Sequence, residues 1–275
     1  SVTDHSTVTA NITAKALTVS GITASDKTYD GNAVATLNTG SVLYSGLING
    51  DTFSGTYTGA FNNANAGTGK TVTITPTYTG ADVTNYSVSD HSTITADVAV
   101  KALTATASTA NKTYDGTTTA TTTLTFSGLV GSETLGQTVG STFNNKNVGT
   151  GKTVTVNSIT LADGTNGGLA ANYSISTGQT TTADITAKSL TVSGITASNK
   201  TYDATTTATL NTGSVTYTGL VSGDVFNGTY TGAFSDKNVG TGKTVTITPS
   251  YTGADVSNYS VTDHSTVTAN ITAKA

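Results

Sequence analysis

A lysine, a tyrosine and an aspartate stand close together in Lys27-Thr28-Tyr29-Asp30, and an asparagine follows at Asn85. Lysine and asparagine side chains can join through an isopeptide bond when a buried carboxylate with a raised pKa assists, as in some cell-surface shafts. The same residues also suit a turn, in which the tyrosine packs on the core and the aspartate accepts a hydrogen bond from its own backbone. The pattern favours the turn, so we expect a structural role for these residues.

These structural motif residues occur three times along the chain. The full set is Lys27, Tyr29, Asp30, Lys112, Tyr114, Asp115, Lys200, Tyr202 and Asp203, with Asn85, Tyr86, Asn172, Tyr173, Asn258 and Tyr259.

Two other motifs suggest catalysis but lack the context that it needs. A phosphate-binding loop requires a glycine five positions before its second glycine and a helix after it. In Gly67–Thr71 that earlier position holds Ala64 and a strand pattern follows, so we expect a glycine-rich hairpin turn. His5, His91 and His264 each lie in Asp-His-Ser. Neighbours along a strand face opposite sides, so we expect exposed strand residues and no hydrolase triad.

The acidic residues do not form a recognisable metal-binding motif. The chain has 16 Asp and Glu residues and no Cys, and neither an EF-hand loop nor a Gly-Gly-x-Gly-x-Asp run occurs. We therefore expect no cofactor, with calcium that stiffens the repeats as the open alternative. A disulfide framework and a thiolate metal site are excluded.

The charge argues against a nucleic-acid partner. The net charge is −4, and the 12 basic residues are all lysines scattered along the chain, with no basic stripe. No stretch approaches the ~18 apolar residues of a membrane-spanning helix, so membrane insertion is not expected.

Three tandem repeats account for almost the whole sequence. Of the 70 residues from Leu17 to Tyr86, 53 are identical in Leu190–Tyr259, whereas the middle copy has diverged. Repeats of this length are whole domains, not solenoid turns. We assign domains to 17–102, 103–189 and 190–275. Residues 1–16 are identical to 260–275, so we expect them to be the last strand of a preceding repeat in a longer protein.

The period within each repeat is two. In Thr71-Val72-Thr73-Ile74-Thr75, apolar and polar residues alternate, as in a half-buried strand. Short connections predict antiparallel pairing in a β-sandwich-like, Ig-like domain, with a β-grasp-like domain as the alternative. At the junctions, Ile12–Val19 and its counterparts contain neither Gly nor Pro. Stiff joints and an extended rod are therefore predicted, with neighbouring repeats as partners.

With Lys-Thr-Tyr-Asp, Asn-Tyr-Ser, Asn147–Lys152 and Thr182–Lys188, the chain resembles YDG-type repeats and the similar MBG repeats. These occur in large secreted bacterial adhesins, including proteins like filamentous haemagglutinins. The third copy has Ala204 in place of glycine, which questions whether that position needs a positive φ.

The resemblance implies a stalk on the outer surface of a Gram-negative bacterium that projects a distal binding region. It also implies no catalytic residues, so we expect no enzyme activity. The alternative is that the repeats themselves bind a host glycan or mucin, or self-associate in cell–cell adhesion or biofilm. Since sugar sites usually need an aromatic platform, exposed aromatic rings would favour this alternative.

Overall fold

The computed structural model describes residues 7–275, and this part of the chain is almost entirely β. Strands account for 56% of the residues and helices for 3%. The helical residues lie in three 3-10 turns: Val83–Asn85, Ala170–Asn172 and Val256–Asn258. The all-β prediction is confirmed. The β-grasp-like alternative needs a longer helix packed on its sheet, and none is present in the described range.

Residues 7–275 contain twenty-eight strands, most of them short. The first repeat contains β1 (Lys15–Ser20), β2 (Thr23–Ala24), β3 (Lys27–Thr28), β4 (Val34–Ala35), β5 (Leu37–Asn38), β6 (Leu43–Ser45), β7 (Ser54–Phe61), β8 (Gly67–Thr79), β9 (Tyr86–Ser89) and β10 (Thr93–Ala99). The middle repeat contains β11 (Lys101–Thr109), β12 (Lys112–Thr113), β13 (Thr119–Ala120), β14 (Thr122–Ser127), β15 (Leu135–Phe143), β16 (Gly149–Asp163), β17 (Tyr173–Ile175) and β18 (Thr180–Thr186). The third repeat contains β19 (Lys188–Ser193), β20 (Thr196–Ala197), β21 (Lys200–Thr201), β22 (Thr207–Ala208), β23 (Leu210–Asn211), β24 (Thr216–Thr218), β25 (Asn227–Phe234), β26 (Gly240–Thr252), β27 (Tyr259–Thr262) and β28 (Thr266–Thr272).

Each repeat builds a three-stranded and a five-stranded sheet. In the first repeat the strand orders are β6-β1-β9 and β3-β10-β8-β7-β4. The sheets meet through apolar side chains. In the third repeat, for example, Val192 on β19 and Ile247 on β26 share one core cluster. The prediction of purely antiparallel pairing is wrong, because β1 runs parallel to β9 and β10 runs parallel to β3. Short loops connect neighbours in sequence, but these pairs join strands far apart in the chain.

The alternation of threonine with valine and isoleucine produces the long strands. On β8, Val72 is 0% exposed and Ile74 is 5% exposed, whereas Thr71, Thr73 and Thr75 face solvent. β-branched side chains fit both faces of such a pleat, so the apolar face covers the core while the threonine face is solvated.

Contacts between Cα atoms divide the chain into two compact units, and the division cuts through the middle repeat. One unit contains the described residues up to Ala105, Phe126–Thr138 and Thr160–Ser176. The other contains Thr106–Thr125, Val139–Ile159 and Thr177–Ala275. Each unit thus combines one outer repeat with part of the middle repeat. The domain boundaries assigned from the sequence stay a prediction, as does the extended rod.

The chain passes from one repeat to the next almost without leaving strand. One residue, Val100, separates β10 from β11, and one residue, Ala187, separates β18 from β19. Ahead of the first repeat, residues 7–14 are exposed and form no strand. The rest of the segment expected to be a terminal strand, residues 1–6, lies outside the described residues.

Candidate functional site

Each Lys-Thr-Tyr-Asp motif folds into a tight turn closed by its own lysine. The Lys27 ammonium donates to Asp30 Oδ1 at 2.7 Å and to the Asn32 carbonyl at 2.8 Å. Asp30 Oδ1 also accepts from the Asn32 backbone N–H at 3.1 Å. Partial burial opposes ionisation of Asp30, but these hydrogen bonds hold its pKa below the ordinary value. In the third repeat the hydrogen bond from Lys200, helped by the backbone of Thr205, lowers the pKa of Asp203 to about 2.

The structure does not pair the motif lysine with the motif asparagine. Lys27, Lys112 and Lys200 each bond to the aspartate three residues further along the chain. Among residues 7–275, none of these lysines has a hydrogen bond to the asparagine of an Asn-Tyr-Ser motif. That asparagine and its tyrosine contribute to a different site.

The tyrosine of the first motif packs against the middle repeat. Tyr29 is 4% exposed and meets Tyr173 edge to face, with ring centroids 5.4 Å apart. Its hydroxyl donates to Glu133 Oε1 at 2.7 Å, and the Tyr173 hydroxyl donates to Glu133 Oε2 at 2.6 Å. Burial and the hydrogen bond to Glu133 raise the pKa of Tyr29 to about 12. We call this cluster the first joint; one carboxylate binds a tyrosine from each of two repeats.

The same arrangement recurs between the middle and third repeats, which we call the second joint. Tyr114 meets Tyr259 edge to face at 5.6 Å, and both hydroxyls donate to Asp224 Oδ2, at 2.8 and 2.6 Å. Lys146 adds ion pairs to Asp224 at 3.1 Å and to Asp255 at 2.9 Å. Hydrogen bonds with Asp255, Tyr114 and Asp224 raise the pKa of Lys146. The Asp224 side chain is only 3% exposed, so this ion pair is shielded from solvent on the acidic side.

A buried asparagine adds a second set of hydrogen bonds to each joint. Asn172, 1% exposed, accepts from the Ala66 backbone N–H at 2.9 Å and donates to Asn65 Oδ1 at 3.2 Å. Asn258, also 1% exposed, makes the same two contacts in the second joint, with Val148 at 3.0 Å and Asn147 at 3.3 Å. An amide can supply both an acceptor and a donor, which a carboxylate or an ammonium cannot.

Comparison with known protein families covers all three repeats. The model of the YDG domain matches the chain three times in tandem, over residues 13–96, 99–183 and 186–269. The chain belongs to the YDG domain family. No curated protein sequence gives a significant match to it.

The glycine of the YDG motif allows close approach of two repeats. Gly31 has φ 80°, and a Cβ there would lie 2.7 Å from the Val130 side chain. At Gly116, also with φ 80°, a Cβ would lie 2.8 Å from Val221. Ala204, which replaces this glycine in the third repeat, has φ 66°. The positive φ is therefore present even where the residue is not glycine. Alanine occupies this region with strain, whereas glycine does not.

The YDG residues at the two outer ends have no neighbouring repeat among the described residues. Tyr202, the counterpart of Tyr29, is half-buried, and Asn85, the counterpart of Asn172, is exposed. Tyr86 keeps the internal part of the arrangement: its hydroxyl donates to Asp51 and accepts from the Ile48 N–H at 3.0 Å.

Sequence reasoning missed the acidic partner of the tyrosines. Asp51, Glu133 and Asp224 occupy equivalent positions in the three repeats. Their recurrence at a fixed distance after Leu47, Leu129 and Leu220 was the available signal. The pairing with a tyrosine could not be read from this recurrence, because Tyr29 and Glu133 are 104 positions apart in the chain.

The remaining motifs have structural positions. Gly67–Lys70 begins β8 with a bulge against β10, and the Gly69 N–H donates to Asp97 at 2.7 Å, so the hairpin-turn prediction is wrong in detail. His91 and His264 are exposed as expected, but they lie in connections between strands, not within a strand. His5 lies outside the described residues. In residues 7–275, no group of three or more His, Cys, Asp or Glu side chains is placed to hold a metal ion. No helix there could cross a membrane.

Proposed function

We propose that these YDG repeats form the structural stalk of a bacterial cell-surface adhesin, secreted to the outer surface of a Gram-negative cell, and project a distal binding region. The main support for the proposal is the set of hydrogen bonds that the motif residues make. At both joints the motif tyrosines and asparagines bind a neighbouring repeat, while the motif lysines and aspartates bind within their own turn, so the hydrogen-bonding capacity of these groups is used inside the array. A spacer needs this property, whereas a receptor or enzyme needs free polar groups in a pocket.

The aromatic residues support the same conclusion. Each of the 12 tyrosines and six phenylalanines is buried or half-buried, and none is fully exposed. A sugar-binding surface usually presents an open aromatic face. We propose that the repeats have no catalytic activity and require no cofactor. We propose neither nucleic acid nor a lipid bilayer as a partner.

The joints argue for mechanical coupling between neighbours. Tyr29, Phe61, Val72 and Val98 of the first repeat share one buried cluster with Leu103 and Tyr173 of the middle repeat. A cluster shared across a repeat boundary resists bending, because rotation of one repeat would expose apolar surface and break the hydrogen bonds to Glu133.

Small-angle scattering at low protein concentration tests the stalk. A compact globule of this length has a radius of gyration of about 19 Å, whereas a rod on the order of 100 Å long has about 30 Å. We expect the larger value, and the smaller value would contradict a spacer. Repeating the measurement with calcium and with chelator tests the alternative that calcium stiffens the chain; we expect identical curves.

Direct binding of a host glycan or mucin is the second candidate function, and one groove is the place to test it. A cavity of about 420 Å³ lies beside Tyr57 and is lined by Val34, Leu37 and Gly55. The Tyr57 hydroxyl lies 3.2 Å from that of Tyr44, and Tyr57 is among the residues that line the groove. Binding to mucin-type glycans that is lost in Tyr57→Ala and kept in Tyr202→Ala would favour this function over the stalk.

A further inference from the structure

Two tyrosine hydroxyls are in direct contact within the first repeat. Tyr44 Oη on β6 lies 3.2 Å from Tyr57 Oη on β7. β6 is at the edge of the three-stranded sheet and β7 belongs to the five-stranded sheet, so the contact connects the two sheets. The third repeat has the same contact at the same distance, between Tyr217 on β24 and Tyr230 on β25.

A glycine makes room for both hydroxyls. Gly55 lies two residues before Tyr57 on β7, so the two residues are on the same face of the strand. A Cβ at Gly55 would collide with the Tyr57 hydroxyl and lie 3.1 Å from the Tyr44 hydroxyl. Gly228 has the equivalent position in the third repeat, where a Cβ would lie 2.8 Å from the Tyr217 hydroxyl. Both repeats therefore keep space open at the point where two phenol groups meet.

Neighbouring aromatic rings hold the pair in this position. Tyr44 meets Phe53 edge to face at 5.2 Å, and Tyr57 meets Tyr78 edge to face at 6.1 Å. Such contacts are favourable, so they stabilise the orientation of both tyrosines. Tyr44 and Tyr57 are half-buried, and Tyr57 lines the groove of about 420 Å³. A small oxidant can therefore reach the pair from the groove.

The middle repeat lacks this pair of tyrosines. Phe126 stands at the position of Tyr44, and Val139 stands at that of Tyr57. Gln137 replaces the glycine. The chain thus contains one repeat in which no phenol pair can form at this place, although the motifs of the three repeats are shared.

The composition directs oxidation to tyrosine. Cysteine, methionine and tryptophan are the side chains that react most readily with peroxide or with one-electron oxidants, and the chain has none of them. Tyrosine is the next most easily oxidised, and the chain has 12. An oxidant that reaches the repeats therefore acts on tyrosine first and converts a phenol into a phenoxyl radical.

We propose that each outer repeat forms an oxidative dityrosine cross-link, Tyr44 to Tyr57 in the first repeat and Tyr217 to Tyr230 in the third. Each phenol loses one electron and one proton, and the two radicals couple through the carbons ortho to their hydroxyls. The two ortho hydrogens then move to the phenol oxygens. One carbon–carbon bond forms and two ring carbon–hydrogen bonds break. The two electrons and two protons reduce one hydrogen peroxide to two waters, with a peroxidase as the one-electron carrier.

The hydroxyl contact favours coupling at the ortho carbons, because each ortho carbon is bonded to the carbon that carries the hydroxyl. The product ties β6 to the five-stranded sheet. β6 has only three residues, so few backbone hydrogen bonds hold it without the cross-link. Tyr44 and Tyr57 are 13 positions apart, and closing this loop lowers the entropy of the unfolded chain. The inference holds whether or not the repeats act as a stalk.

The tyrosine pairs of the joints do not meet in this way. At the first joint the hydroxyls of Tyr29 and Tyr173 donate to different oxygens of Glu133, so a carboxylate lies between them. At the second joint both hydroxyls donate to Asp224. The ring planes there cross at 82° and 77°, with the edge of one ring on the face of the other. These pairs therefore serve as matched controls.

Oxidation of the folded 275-residue chain with a peroxidase and hydrogen peroxide tests the inference. The protein is kept dilute, and gel filtration in denaturant separates monomers from cross-linked oligomers. The monomers should show dityrosine fluorescence and a mass lower by four hydrogens, two for each cross-link. Without an oxidant the mass stays that of the sequence. Oxidation of the unfolded chain should give a signal several-fold lower, because the tertiary contact is lost.

Tryptic digestion locates the bonds. No lysine lies between the two tyrosines of either pair, so peptides 28–70 and 201–237 should each lose two hydrogens. A second cleavage after Asp51 and Asp224 falls between the paired tyrosines. The two halves of each peptide should remain joined after this cleavage.

Two double variants, each with two tyrosines fewer, give the decisive comparison. Tyr44→Phe with Tyr217→Phe should abolish the dityrosine signal of the monomers. This variant should fold, because Phe126 occupies the same position in the middle repeat. Tyr29→Phe with Tyr114→Phe removes one tyrosine from each joint and should keep the signal.

Three results would overturn the inference. The first is a wild-type monomer fraction without dityrosine, and the second is an equal signal in the two double variants. The third is a cross-link between peptides 28–70 and 71–101, which would assign the bond to Tyr78 or Tyr86.

Discussion

Tyr29 Oη lies 2.7 Å from Glu133 Oε1, although 104 residues separate the two in the chain. The other oxygen of the same carboxylate accepts from Tyr173 at 2.6 Å. The tyrosines belong to the Lys-Thr-Tyr-Asp motif of one repeat and the Asn-Tyr-Ser motif of the next. The recurrent motifs of the sequence are thus two sides of one contact between neighbouring repeats.

Tyr29→Phe should lower the free energy of unfolding by roughly 1 to 3 kcal/mol, because it removes a buried hydrogen bond to a charged group. Tyr202→Phe is the control. The Tyr202 hydroxyl has no hydrogen-bond partner in residues 7–275, so this variant should be close to neutral. Denaturant unfolding followed by circular dichroism measures both, and equal losses in the two variants would contradict a role for the joint.

Asn172→Ala should also lower the free energy of unfolding by roughly 1 to 3 kcal/mol, because the Ala66 N–H loses its acceptor in a buried site. Asn85→Ala changes the equivalent residue at the exposed end, and we expect little effect. Hydrogen exchange should show faster exchange of the Ala66 amide in Asn172→Ala. Unchanged protection there would mean that another group satisfies the amide.

Stability should decrease in alkaline solution. Burial and the hydrogen bond to a carboxylate raise the pKa of Tyr29 and of Tyr259 from 10.0 to about 12. The unfolded chain loses these protons at a lower pH than the folded chain. The two tyrosines therefore contribute their full stabilisation below pH 10, and the free energy of unfolding falls as the pH rises from 10 to 12. Unfolding midpoints between pH 8 and about 11.5 measure the slope. The slope should be smaller in Tyr29→Phe, and an unchanged slope would assign it to other tyrosines.

Lys146→Ala should destabilise the second joint and leave Asp224 without its cation in a nearly closed site. The effect on the unfolding midpoint should exceed that of Lys237→Ala, because Lys237 is exposed and has no acidic partner among the described residues. Thermal unfolding at low salt compares the two lysines. A loss in Lys237→Ala as large as in Lys146→Ala would show that net charge, not the joint, determines the effect.

The intact mass should equal the sequence mass. Lys27 bonds to Asp30 and Asn32, and Asn172 bonds to Asn65 and Ala66, so the motif lysine and asparagine serve different contacts. Electrospray mass spectrometry of the folded chain measures this directly. Loss of one ammonia for each repeat would establish an isopeptide bond and refute the turn.

Much of the local structure was determined by the sequence itself. Alternation in Thr71-Val72-Thr73-Ile74-Thr75 predicted a strand with threonine outward, and β8 has that pattern because a pleat places successive side chains on opposite faces. The order of the repeated motifs predicted three similar units, and composition excluded disulfides. These features depend on residues that are close together in the chain or on composition, so the sequence alone is enough to predict them.

Tertiary structure alone decided the pairings. Nothing local to Tyr29 identifies Glu133 as its acceptor, and short loops did not indicate that β1 would run parallel to β9. The clearest case is one sequence in two places: Thr266–Thr272 forms a buried strand between β26 and β21, whereas the identical residues 7–13 form none. A strand is held by hydrogen bonds to its neighbours, not by its own residues. The same seven side chains therefore become structure only where two other strands receive them.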